Sequence, residues 1–124
     1  MDRQRVASIT AMAHVADVAA SAAFYEKLGF AIQGSFTPPG AAALSWVSLA
    51  SGTAELMLTL ASEPVIAAQQ AVLFYVYCED VAAMHGQLAE QGLEPGPIAK
   101  PFYNPDGEFR LVDPDGYVVM VTHL

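Results

Sequence analysis

The sequence predicts an α+β fold: two tandem βαβββ modules whose strands form a curved, mixed and mostly antiparallel sheet around a cavity, with the helices on the outer face. Three observations predict it. First, Asp17–Phe30, DVAASAAFYEKLGF, returns in altered form as Asp80–Leu93, DVAAMHGQLAEQGL. Asp17 matches Asp80, Val18 Val81, Ala19 Ala82, Ala20 Ala83 and Gly29 Gly92, an offset of 63 (80 − 17). Second, the same offset carries Leu56-Met57-Leu58-Thr59 onto Val119-Met120-Val121-Thr122, and Trp46 onto Phe109. A repeat on this scale means that the chain is built from copies of one unit. Third, each helical copy is followed by three strand-like runs, the order expected of helices laid on one face of an antiparallel sheet.

Taken in order, Val6–Val15 reads as the first strand. Thr10, Met12 and His14 share one face by the period of two, and the smaller Ala11, Ala13 and Val15 turn toward the helix. The helix Asp17–Leu28 has an Asp at its N-cap to accept orphan N–H groups, an Ala-rich body, and Gly29 to close it. Phe30–Thr37 is a strand stopped by Pro38-Pro39-Gly40. Ala43–Leu49 and Ala54–Leu60 form a hairpin around Ala50-Ser51-Gly52-Thr53. A connector, 61–71, leads to the second copy. There Leu73, Tyr75 and Tyr77 take the positions of Thr10, Met12 and His14, within the strand Val72–Cys78.

Phe74, Val76 and Cys78 take the helix-facing phase, so Cys78 is expected to be a small buried hydrophobe rather than a nucleophile. The helix Asp80–Gln91 follows, with His85 on its solvent side. Glu94-Pro95-Gly96-Pro97 makes the next strand short and irregular. The turns Asn104-Pro105-Asp106-Gly107 and Asp113-Pro114-Asp115-Gly116 bracket the strand Glu108–Val112, and Tyr117–His123 is the last strand. The whole of 1–124 is read as one domain, with module one at about 6–60 and module two at about 72–124.

Composition narrows the function. With 54% hydrophobic residues the chain is not disordered, and no apolar run approaches the roughly 18 residues a membrane span needs. MDRQRVASIT lacks the apolar core of a signal peptide, and one cysteine forms no internal disulfide, so a cytoplasmic location is expected. The net charge of −8, with Arg3, Arg5, Lys27, Lys100 and Arg110 the only basic residues, argues against nucleic acid and allows attraction of cations.

The strand phases also predict what lines the cavity. Met12 and His14 come from the first strand of one half, Tyr75 and Tyr77 from that of the other. Pairing Leu49 with Ala54 sets Trp46 opposite Met57. Pairing Val112 with Tyr117 sets Phe109 opposite Met120. Phe102 and Tyr103 stand on a loop able to close over the cavity. Amphipathic aromatics and a histidine suit a binding cleft better than a closed core.

HVADVAASAAFYEKLGF (His14–Phe30), ELMLTL (Glu55–Leu60) and DPDGYVVMV (Asp113–Val121) resemble the vicinal oxygen chelate superfamily, which includes glyoxalase I, extradiol dioxygenases, and fosfomycin and bleomycin resistance proteins. The resemblance implies divalent-metal ligands at positions that here are Thr10, Met57, Leu73 and Met120. None is a good ligand for a hard divalent ion. Metal-free members of the superfamily, such as bleomycin resistance proteins, bind a drug in an aromatic groove, often as dimers whose pockets use both chains. The function expected from this resemblance is therefore metal-independent, cofactor-free binding of a small aromatic or cationic organic molecule by a homodimer. The alternative is a lyase, isomerase or dioxygenase with a non-standard metal site, for which a different register would offer Glu55, or a metal-free catalyst with His14 as general base.

Overall fold

Asp17 and Asp80 each do what their positions in the repeat require. Both backbones are extended, and their carboxylates accept from Ala20 N at 3.0 Å and Ala83 N at 2.9 Å. They start α1 (Val18–Lys27) and α2 (Val81–Glu90). Gly29 and Gly92 adopt φ of 106° and 84° beyond the last turns, in the left-handed region that side chains avoid. The computed structural model describes residues 3–124. Around the helices it places β1 (Met12–Val15), β2 (Ala31–Phe36), β3 (Trp46–Ser51), β4 (Ala54–Leu60), β5 (Leu73–Cys78), β6 (Glu108–Val112) and β7 (Val118–His123). A 3₁₀ turn, Ala67–Gln69, interrupts the connector.

The strands make two mixed sheets, β1-β4-β3-β2 and β5-β7-β6. In each, the strand before the helix runs parallel to the last strand of its half, and the hairpin is antiparallel. The α+β class and the repeat are as expected, but the two sheets do not join, and β1 and β5 each keep one free edge. One face of both sheets packs on the helices in a single core that includes Val15, Ala22, Tyr25, Val47, Leu49, Leu58, Leu88, Phe109, Leu111, Val119 and Val121. The opposite faces carry no helix.

Several boundaries differ from expectation, each for a local reason. β1 begins at Met12 rather than Val6. In its register with β4, Val6 falls beside Ser51, at a turn, where no strand continues to pair it. Val6 and Ile9 are accordingly exposed. The irregular counterpart of β2 contributes only the bond from Gly96 N to Arg110 O at 2.8 Å and a bridge between Ala99 and Glu108, because Pro95 and Pro97 have no N–H to give. His85 is half-buried, within 2.9 Å of Gly96 O through Nε2 and edge-on to the Phe109 ring, not solvent-facing.

Both hairpin registers also differ. In the first, the loop is only Gly52-Thr53: Ser51 pairs with Ala54, Leu49 with Leu56, Trp46 with Thr59 and Ser48 with Met57. The shift is two residues, so Trp46 and Met57 remain on one face, diagonally placed. In the second, the loop is Pro114-Asp115-Gly116, closed by Asp113 N to Tyr117 O at 2.9 Å, and Val112 pairs with Val118. That shift is a single residue, which exchanges the two faces of a strand. Phe109 therefore pairs with Val121 and points into the core, 1% exposed, and Arg110 stands opposite Met120.

Asp113 is the physical cause. It continues the inward phase of Phe109 and Leu111, and its carboxylate accepts from Asp115 N (2.9 Å), Tyr117 N (2.8 Å) and the Tyr25 hydroxyl (2.7 Å). Asp115 accepts in turn from Ala16 N at 2.7 Å, so this one turn ties the second half to the residue before the α1 cap and to the last turn of α1. Gly116 (φ 86°) lies so close to Ala67 that an added Cβ would come within 2.5 Å of the alanine Cβ.

Candidate functional site

The helix-free faces display the side chains from which a site can be built. On the four-stranded sheet, one row across the strands is His14, Thr59, Trp46 and Phe36, and the next is Met12, Met57, Ser48 and Gly34. The indole of Trp46 lies over Gly34, where a Cβ would come 3.4 Å from the ring. Gln33 Nε2 donates to Ser48 Oγ at 2.8 Å across an irregularity in the β2–β3 ladder.

On the three-stranded sheet the rows are Tyr77, Thr122 and Glu108; Tyr75, Met120 and Arg110; and Leu73, Val118 and Val112. Tyr75 and Tyr77 have ring centroids 6.3 Å apart and are 50% and 61% exposed. Tyr103 reaches this sheet from the loop before β6, its hydroxyl donating to Glu108 Oε1 at 2.8 Å. That bond, to a buried carboxylate, raises the tyrosine pKa above its ordinary value. Asn104 Nδ2 donates to Thr122 Oγ1 and Glu108 Oε2. Phe102 is almost fully exposed and meets Tyr103 edge-on at 5.5 Å.

The ten residues singled out in the sequence therefore fall into two groups and two outliers. Met12, His14, Trp46 and Met57 share one sheet face. Tyr75, Tyr77, Tyr103 and Met120 share the other. Phe102 projects from its loop into solvent, and Phe109 is core. The sequence reading missed Phe36, Ser48, Glu108 and Arg110. The last two share the phase of Met120 once the odd-length second loop is known, and Phe36 shares the phase of Gly34 beneath the tryptophan.

Two concavities adjoin these faces. One of about 500 Å³ lies between the end of α1, the β3–β4 hairpin and the free edge of β5, lined by Tyr25, Phe30, Leu56, Tyr75, Tyr77 and Cys78, with Glu55 its one charged side chain. Burial pushes the Cys78 thiol above its ordinary pKa, so the cysteine is apolar lining rather than a ready nucleophile. The other, about 400 Å³, is polar and lies under the connector, lined by His14, Glu63, Gln69, Gln70 and Tyr117. Among the described residues the His14 imidazole has no hydrogen-bond partner, and its carbonyl accepts from the Tyr117 hydroxyl at 3.1 Å. His14 therefore borders a different concavity from the apolar one beside Tyr75 and Tyr77.

The donor chemistry at the four positions that the resemblance assigns to metal ligands does not fit a hard divalent ion. Met57 and Met120 offer thioethers, Leu73 nothing, and Thr10 a single hydroxyl. Among the described residues no group of three or more His, Cys, Asp or Glu side chains converges.

A family model described as Glyoxalase/Bleomycin resistance protein/Dioxygenase superfamily matches residues 7–121. No curated protein matches the chain. Among solved structures, the fold is similar to that of a bleomycin-binding protein complexed with bleomycin, at TM-score 0.74 and 21% identity over 96% of this chain and 99% of that one. A bleomycin resistance determinant encoded on the transposon Tn5 gives 0.75 and 21% over 95% and 98%. TnmS3, an antibiotic-binding protein from Streptomyces sp. CB03234, gives 0.73 and 19% over 98% of each chain.

Proposed function

The chain belongs to the Glyoxalase/Bleomycin resistance protein/Dioxygenase superfamily, and on that premise we propose that it binds a small aromatic organic molecule without a metal, in a pocket that two copies of the chain complete. The observation that carries this reading is the pair of helix-free sheet faces. They hold Trp46, Met12 and Met57 on one side and Tyr75, Tyr77 and Met120 on the other, and Met12, Tyr75 and Tyr77 are about half exposed. Aromatic rings and thioethers left open to water favour stacking on a flat apolar partner.

The free edges of β1 and β5 support the two-copy form. A two-fold pairing of chains would satisfy those edges and bring one face of each kind together. The thioethers at the metal positions support the metal-free form. Bleomycin- and antibiotic-binding proteins with the same fold agree with this choice of ligand class.

The test is a titration of bleomycin, anthracyclines and quinone-like compounds against metal-stripped protein, followed by Trp46 fluorescence and melting temperature. Trp46→Ala is expected to weaken binding by roughly 2–4 kcal/mol, as loss of a central aromatic anchor does. A flat response across the panel, with tryptophan emission insensitive to every compound, overturns the reading.

A further inference from the structure

The geometry points to Arg110 as an anchor for an anionic group on the bound molecule; this rests on the binding function proposed above and names the chemistry of its ligand. Of the five basic residues, Arg3 and Arg5 lie on the segment before β1, Lys27 ends α1 and Lys100 lies in the loop before β6. Arg110 is the one placed on a strand. It occupies the middle row of the three-stranded sheet, beside Met120 and two strands from Tyr75, about 10 Å between backbones at ordinary strand spacing. An arginine side chain laid across Met120 spans most of that distance. A ring stacked on Tyr75 and Tyr77 would then hold a substituent within reach of the guanidinium.

Two features free Arg110 for this task. The single salt bridge among the described residues joins His123 to Asp106, so Arg110 takes part in no ion pair there; Glu94 is the one acid lining the concavity that Arg110 borders at the outer edge of β6. Glu108, on the same face one row away, is 7% exposed and has its oxygens engaged by Tyr103 and Asn104. Nor is Arg110 needed to guard a bare edge, the common use of a basic residue on an outer strand. The edge of β6 is already covered by Gly96 N, donating to Arg110 O, and by the Ala99–Glu108 bridge. The guanidinium fork suits a carboxylate, sulfonate or phosphate, and a flat guanidinium also stacks on aromatic rings. The ligand class this implies is a planar aromatic acid, opposite in sign to what the net charge of −8 alone suggests.

The test compares two dyes with the same ring system, 8-anilinonaphthalene-1-sulfonate and the uncharged N-phenyl-1-naphthylamine, on the full chain at low salt. Wild-type protein should bind the sulfonate at least tenfold more tightly than the neutral dye, with the preference shrinking as salt rises. Arg110→Ala should bring the sulfonate down to the affinity of the neutral dye, Arg110→Lys should keep part of the preference, and Tyr75→Ala should weaken both dyes. Unchanged melting temperatures in the two Arg110 variants would confine the effect to binding. Binding of both dyes with no sulfonate preference, or a preference that survives Arg110→Ala, overturns the Arg110 assignment and leaves the binding function standing. If neither dye binds while a compound of the drug panel does, the Arg110 assignment alone falls; silence in both experiments overturns both.

Discussion

Removal of the Asp113 carboxylate is expected to be among the most damaging single changes in the protein. Asp113→Ala orphans three donors: the Tyr25 hydroxyl, Asp115 N and Tyr117 N, now bonded at 2.7, 2.9 and 2.8 Å. Each buried donor left without a partner costs on the order of 1–3 kcal/mol. The sum is partly offset, because burial raises the Asp113 pKa and shows that the ionised group is held at some cost. A net loss of about 3 kcal/mol follows, a large share of a stability of roughly 5–15 kcal/mol. For a chain of this size that lowers Tm by about 10 °C.

Urea unfolding of wild type, Asp113→Ala, Tyr25→Phe and the double mutant measures it, and the Tyr25–Asp113 coupling should be about 1 kcal/mol or more. The pH dependence has a definite sign. A carboxyl whose folded pKa is raised contributes stability that is fully present below its unfolded value near 3.8 and is lost as pH rises through the folded value. Asp113→Asn keeps an acceptor for the two backbone donors and cannot ionise. Its stability relative to wild type should therefore improve as pH rises from about 4 through the raised pKa. A loss below about 1 kcal/mol in Asp113→Ala, or a coupling near zero, would refute the view that this turn locks the two halves together.

Two further outcomes test the placement of the aromatics. Phe109→Ala should cost roughly 3–5 kcal/mol of stability as a cavity-forming core change; chemical denaturation checks it, and a near-neutral result would restore Phe109 to the open face. Gly34→Val should push the Trp46 ring off the sheet, since even a Cβ would lie 3.4 Å from it. A shift of the tryptophan emission with a stability change under about 2 kcal/mol is expected, and unchanged emission would contradict the packing of indole on glycine.

The repeat made the fold legible because its signals are local. Asp17 and Asp80 cap helices through their own next turn, Gly29 and Gly92 end them, and alternation along β1 and β5 sorted each strand into two faces. The site was legible only as far as registers could be inferred. The first hairpin tolerated an error because a two-residue slip leaves Trp46 and Met57 on the same side. The second did not, because Asp113 is drawn inward by Tyr25, 88 residues earlier in the chain, and that contact shortens the loop by one residue. A contact so distant in sequence leaves no mark on the composition of the turn. The separation of the two faces into different sheets was equally hidden, since strand patterns describe each strand's sides and not which edges meet.

The division of the aromatics between the sheets also gives the protein an internal optical gauge. Its only tryptophan sits on the four-stranded sheet, and Tyr75, Tyr77 and Tyr103 cluster on the three-stranded one. Excitation energy passing from the tyrosines to Trp46 depends steeply on their separation. Tyrosine-sensitised tryptophan emission that grows with protein concentration would signal faces brought together across chains. Emission independent of concentration would signal an arrangement complete within one chain. The native sequence thus reports on its own assembly without a label.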